Sequence, residues 1–281
     1  MRYLWFLALI VLATLPAFAA DKSNRESALD RVTRTNVLRC GFQYWDGGLV
    51  RDEQTGVMKG LIVELTDKIA GIADLKIEWA GPIDWGNVRA ELDSGKIDAM
   101  CAGMWQAGQK ARYMIFSDPF AYQGMEAYVR ADETRFDRNF NGLNDAGVKI
   151  AVVDNDNGFF VAQNSFAKAK LFSMPMGATD TDMLMAVMTG KADVTFTAPG
   201  IAYQFMQANP GKVKALSPGR YLRVFGNTYV VGAGEFQLAH FLQTVLAEVE
   251  NSGYVDDLID RYNKDYPLMF IKKAKPYEAE K

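Results

Sequence analysis

The sequence predicts an α/β protein of two lobes, each a mainly parallel sheet flanked by helices. Three observations predict it. Apolar runs of strand length alternate with helix-period stretches from residue 37 onward, the pattern of a parallel sheet covered by helices. The alternation begins again at Gly147, so the unit is present twice. Behind an N-terminal leader about 260 residues remain, enough for two ordinary cores.

The leader reads as a secretion signal. Arg2 precedes an apolar run from Tyr3 to Leu15, Pro16 breaks it, and Ala17-Phe18-Ala19 supplies a small-x-small cleavage site. Residues 1–19 are expected to be removed. The run is shorter than the about 18 apolar residues a span requires, so no membrane anchor is expected. No cysteine stands beside the cut, which argues against a lipid anchor. A protein released into the periplasm fits this pattern.

Residues 21–36 are polar and charged and read as a loose start. Residues 37–42 (VLRCGF) form a short buried strand, and an aromatic loop from Gln43 to Gly48 follows. Leu61, Leu65 and Ile69 then recur at helical spacing, with Gly71 as the C-cap. Residues 75–80 alternate as a strand, 85–95 form an amphipathic helix ended by Gly95, and 97–104 form the next strand. In the second unit, strands at 148–153, 171–176 and 192–198 alternate with helices at 157–169 and 179–191. The latter helix takes Thr179 or Asp180 as its N-cap. One C-terminal helix over 236–264 closes the fold. The net charge of −3 falls to −4 once Arg2 leaves with the signal, which argues against a nucleic-acid partner.

The segment from Ser94 to Phe120 carries more. Gly95, Asp98, Gly103, Met104, Phe116, Ser117, Asp118 and Pro119 fall in register on the central motif of the family 3 extracytoplasmic solute-binding proteins. Ser252-Gly253, Ile259 and Tyr262 match a second motif near the C-terminus, and the resemblance extends over residues 36–264. It implies a lobe one of residues 36–126 and 228–281, with lobe two, 127–227, inserted between. The crossings would be Glu126–Arg130 and Asn227–Ala233. It further implies a monomer that closes about a hinge on one small-molecule ligand, without cofactor or metal, and hands it to an inner-membrane ABC permease. In the family the strands bearing Cys40 and Cys101 are neighbours. The compartment permits a disulfide, but adjacent parallel strands rarely meet its geometry, so two buried apolar thiols are expected.

The grip departs from the family pattern. Its ligand-binding hydroxyls fall on Trp105 and Ala107, its carboxylate-binding arginine on Lys110, and its ammonium-binding aspartate on Ala198. Lysine keeps the charge but loses the bidentate fork, and alanine offers no anion. A plain α-amino acid is therefore disfavoured unless another acid compensates. Asp154 and Asp156 stand where the family has a small Gly-Thr/Ser segment, and either they face the cleft or Asp156 or Asn157 merely caps the helix beginning near Gly158. A calcium loop is a poor match, because no Gly and Glu follow at the required spacing. Tyr44, Trp45 and Trp105 form a candidate aromatic wall, suited to a ring or to a protonated or quaternary amine. Trp85 reads as packing, and Asp46 as a turn residue. The expected ligand is a small polar, amine-bearing or aromatic solute, bound at Tyr44, Trp45, Trp105, Lys110, Asp154 and Asp156.

No enzyme motif accompanies these residues. The one histidine, His240, reads as a partly buried helix residue. HExxH, CxxC and GxSxG patterns are missing from the sequence. Two alternatives stay open: an accessory or sensor protein of the same fold, for example with a periplasmic dehydrogenase, and a cyclohexadienyl-dehydratase-like enzyme.

Overall fold

The computed structural model describes residues 26–136 and 140–275. The secretion signal and its cleavage site lie outside the described residues. The polar start is not loose. Ser27 caps a helix, α1 (Ala28–Thr35), by accepting from the Asp30 amide. Arg31 on that helix pairs with Asp98, a buried residue that Arg39 also grips at 2.8 Å. Val32, fully buried in the adjoining core with Ala28 and Leu29 packed against it, and the Arg31–Asp98 pair tie this segment to the fold.

The first unit runs β1 (Val37–Gly41), β2 (Val50–Arg51), β3 (Met58–Lys59), α2 (Leu61–Ile72), β4 (Lys76–Ala80), α3 (Val88–Asp93), β5 (Ala99–Trp105) and β6 (Met114–Phe116). β7 (Ala121–Arg130) leads into the second, which holds β8 (Lys149–Val153), α4 (Asn157–Ser165), β9 (Lys170–Met174), α5 (Asp180–Met188), β10 (Val194–Thr197), α6 (Pro199–Ala208) and β11 (Val213–Ala215). β12 (Arg223–Gly232) returns to the first, closed by α7 (Phe236–Asn251) and α8 (Tyr254–Asp265). Strand order is β4-β1-β5-β12-β7-β10-β8-β9, with β6 on β12 and β11 on β7. β1 pairs parallel with β4 and β5, and β8 parallel with β9 and β10.

Two ten-residue strands join these parallel groups. β7 pairs with β12 over Ala121–Met125 and with β10 over Glu126–Val129. β12 pairs with β7 through Asn227 and with β5 from Asn227 onward. Each parallel group has its own core. Leu38, Leu61, Leu65, Leu242 and Leu246 pack in one, and Val129, Ile150, Val152, Val161 and Phe196 in the other.

Three local expectations are overturned. Cys40 and Cys101 form a disulfide, with Cα atoms 5.3 Å apart, in place of two free thiols. Cys40 stands opposite Ala99 on β5, Cys101 lies two residues further along that strand, and their Cα separation falls within the bridging range. Gly71 does not stop α2, which continues to Ile72 with Ala73 at its C-cap. The final helical region is two helices, broken where Gly253 takes φ 82, a left-handed conformation that glycine adopts without strain.

The segment after α8 binds both lobes. Asn263 bonds the backbone N–H and C=O of Phe270, Ile271 bridges to Tyr122 on β7, and Met269 packs on Gly200 in α6.

Candidate functional site

Loops at the carboxyl ends of β1, β4 and β5 face the starts of α4 and α5 across a cleft. Gly41 ends β1, and the chain turns through Tyr44 and Trp45. The Trp45 indole donates to Ala102 O at 3.1 Å and lies flat over Gly48, where a Cβ would come within 2.0 Å of the ring. Glycine at 48 is therefore the condition for that ring position. Trp105 ends β5, stacks on Phe225 with centroids 4.7 Å apart, and donates to Gln123 Oε1 at 2.7 Å. Its indole N–H is thus satisfied, leaving an apolar edge to the cleft.

On the other side, Asp156 occupies the N-cap of α4 without closing a capping hydrogen bond. Burial pushes its pKa up, against the pull of the Asn157 amide, the Lys110 charge and the Gly158 amide. Thr179 caps α5 through a reciprocal bond with Asp182, which leaves Asp180 at the first helical position free to turn inward. There Asp180 accepts from the Thr197 hydroxyl at 2.5 Å. Burial, with a further contribution from Asp156, raises its pKa to about 6. Lys110 answers from lobe one. Desolvation lowers its pKa, opposed by the charge of Asp156.

Two adjoining cavities of about 90 Å³ each occupy the cleft. Trp45, Trp105, Lys110 and Asp156 line the first. Tyr44, Trp45, Asp154 and Asp156 line the second. The six residues singled out in the sequence therefore stand around one space. Asp156 stands at the N-cap position of α4 without a capping hydrogen bond, and its side chain lines the cleft. Sequence reading missed Asp180 and Gln123 as lining residues and gave Trp85 to packing, although Trp85 lines both cavities. The signal for Asp180 was the Thr179-x-x-Asp182 box, which caps the helix without needing Asp180. Ala198 is fully buried at the α6 N-cap and supplies no anion.

The cleft is acidic. Asp84, Asp154, Asp156 and Asp180 line it against Lys110. Such a field favours an organic cation, and the tryptophans offer it π faces. The lobes also touch at the rim. Met176 lies against Gly86, where a Cβ would stand 2.1 Å from its sulfur. His240 is exposed on α7, not partly buried, and lines neither cavity. Among the described residues no cluster of three metal-ligating side chains occurs, and no helix is long and apolar enough to cross a membrane.

Known proteins share this architecture. The probable amino-acid-binding protein YxeM of Bacillus subtilis (strain 168) is 26% identical over 133 residues, 45% of this chain and 46% of that relative. The chain thus spans less than half of that relative's length. The ancestral amino acid-binding protein AncCDT-1, a precursor of cyclohexadienyl dehydratase, superposes with TM-score 0.72 at 22% identity, covering 84% of this chain and 99% of its own. A mutant of ArgBP from T. maritima superposes at 0.71 with 23% identity and the same coverage. At such identities the likeness speaks to the fold, which is that of the type II periplasmic binding proteins. The sequence pattern of the bacterial extracellular solute-binding proteins, family 3, matches residues 48–265, most of the chain, and the protein belongs to that family.

Proposed function

We propose that the protein is a periplasmic receptor that captures a small amine-bearing or aromatic solute between its lobes and delivers it to an ABC importer. The observation that carries this reading is the cleft itself. Three tryptophans wall a small cavity in which Asp156 and Asp180 face Lys110 alone. A cationic group would relieve the buried carboxylates, an aromatic or apolar body would fill the indole surfaces, and Lys110 would accept an anionic group. Hinge closure removes water from these contacts and so raises their worth. Residues 36–126 and 228–281 would move as one lobe against 127–227.

Support for a binding role comes from the family, whose members are solute-binding proteins. The raised pKa of Asp180, about 6, keeps a second reading in view, because an acid near neutrality suits proton transfer. A dehydratase-like enzyme would use Asp180 as that acid.

Thermal unfolding of the mature protein against amino acids, polyamines, quaternary amines, aromatic acids and divalent metals tests the reading. A ligand at a hundredfold its Kd adds about 2.7 kcal/mol, which is readily seen. A midpoint raised by amines and lost in Asp156→Asn or Trp105→Ala is the expected result. Stabilisation by ordinary α-amino acids alone would overturn the ligand class. Silence across the panel would favour an accessory or sensor role. Turnover of a bound aromatic acid, lost in Asp180→Asn, would establish the enzyme.

A further inference from the structure

A third cavity, of about 620 Å³, shares no lining residue with the cleft. It lies in lobe two where β7 leaves the hinge, between β11 and α6, with Leu268 from the segment after α8 at its rim. Its walls include Tyr203, Met206, Val213, Leu216 and Pro218. This is the size and character of a small-molecule site, mostly apolar with few polar groups.

Glu126 is one of those polar groups, and its surroundings are unusual. It is 4% exposed, and its carboxylate accepts from Gly219 N at 2.8 Å and from the Tyr128 hydroxyl at 3.2 Å. Two bonds leave acceptor capacity unused, since an ionised carboxylate offers about four lone-pair sites. Among the described residues no lysine, arginine or histidine forms an ion pair with it. The contrast is Glu133 in the same wall, nearly as buried, which Arg135 grips at 2.6 Å. Lys214 also reaches this cavity, but its ammonium is held by Ala131 O and Glu133 O, both at 2.8 Å. Buried charges are ordinarily paired, and burial without a counter-charge pushes the Glu126 pKa up.

We propose that this cavity is a second binding site, for a small organic amine with an apolar or aromatic body, anchored by Glu126. The amine supplies the missing counter-charge, and its body fills the space between Tyr203, Met206 and Leu216. Anionic solutes are excluded by the same carboxylate, and sugars find few hydrogen-bonding partners on these walls. The site is independent of the cleft, so its failure leaves the receptor reading intact.

The test uses the full mature chain with its methionine and leucine methyl groups labelled for NMR. The probe is 2-phenylethylamine, with 2-phenylethanol as its uncharged counterpart. The amine is expected to shift the Met206 and Leu216 methyl signals saturably, and the alcohol to bind about tenfold more weakly, the worth of one charge-assisted hydrogen bond. Glu126→Gln, which keeps an acceptor for the Gly219 amide, is expected to lose the same factor. Met206→Trp, which adds bulk to the α6 wall of the cavity and leaves the Glu126 side chain in place, is expected to abolish the Leu216 shift. Asp156→Asn in the cleft leaves it unchanged. Equal binding of amine and alcohol, a Glu126→Gln protein that binds the amine as before, or no saturable shift would overturn the proposal. Should Glu126→Gln fail to fold, the amine–alcohol comparison and Met206→Trp still decide.

Discussion

Asp180 bears two energetic debts: burial of its carboxyl and proximity to the charge of Asp156, offset in part by the Thr197 hydroxyl. Its pKa rises from 3.8 to about 6, so the folded chain holds a proton the unfolded chain has lost. Stability therefore falls as pH rises through that window. Asp180→Asn removes the penalty and is expected to stabilise the ligand-free protein by about 2 kcal/mol near about pH 7.5, with no gain near about pH 4. Thermal unfolding at the two pH values checks this, and an unchanged midpoint at the higher pH would refute it. Capture of a cation runs the opposite way, because it needs the ionised pair, and is expected to weaken as pH falls through about 6. At this scale the sequence was legible where a residue had one obvious place. Tyr44 and Trp45 follow the end of β1, and Trp105 ends β5 inside the segment that carries the family motif. Asp180 was missed because two adjacent side chains competed for one cap; the Thr179-x-x-Asp182 spacing was the signal that Thr179 takes it and Asp180 is released.

Among the elements, β1 and β5 deserve comparison with the helices. Both strands were legible from short apolar runs, as were β4, β8 and β10. The helix ends were legible in part: Thr179, one of two candidates, caps α5, and Gly95 follows the end of α3 with a positive φ. Gly71 fails as a stop because it keeps a helical backbone and does not take the positive φ of a glycine C-cap, so α2 runs on to Ile72. Gly253 does break its helix, since its left-handed φ cannot continue one. α1 is tied to the fold in part by a guanidinium from residue 31 reaching a carboxylate at residue 98, a partnership that local sequence does not display. The Cys40–Cys101 bridge was missed for another reason: the two strands were expected to be neighbours, but adjacent parallel strands rarely meet disulfide geometry, and here they do. The bridge closes a loop of 61 residues, and chain-entropy arguments put the cost of its removal at about 4 kcal/mol. Cys40→Ala/Cys101→Ala is expected to lower the denaturation midpoint accordingly, read by urea titration. An unshifted midpoint would show that the bridge leaves the folded state no better off.

For the whole molecule, the decisive geometry is contact at both margins of the cleft. The segment after α8 joins the lobes on the hinge side, and Met176 meets Gly86 at the mouth. Gly86→Leu would place a side chain where the Met176 sulfur now lies and should hold the lobes apart. Small-angle scattering is expected to show a larger radius of gyration than the parent under saturating ligand, with at least about tenfold weaker binding. An unchanged radius would mean that the rim contact adjusts without opening. Alternation of strands and helices was enough to read two α/β units, because each element declares its own period; the insertion of one into the other came from the family resemblance. The meeting of Met176 with Gly86 was not legible, since it joins residues 90 apart whose approach exists only once both lobes have folded.

The chain has two cysteines, and the structure joins them. One pair admits one connectivity, so oxidative maturation has no wrong partner within the molecule and calls for no reshuffling. Since the bridge ties the strand that leads to Tyr44 and Trp45 to the strand that ends at Trp105, the same oxidation completes the frame that carries the aromatic wall. Biogenesis of this protein thus requires a thiol oxidant but no disulfide isomerase, and protein produced in a reducing cytosol emerges without the tie between those two strands.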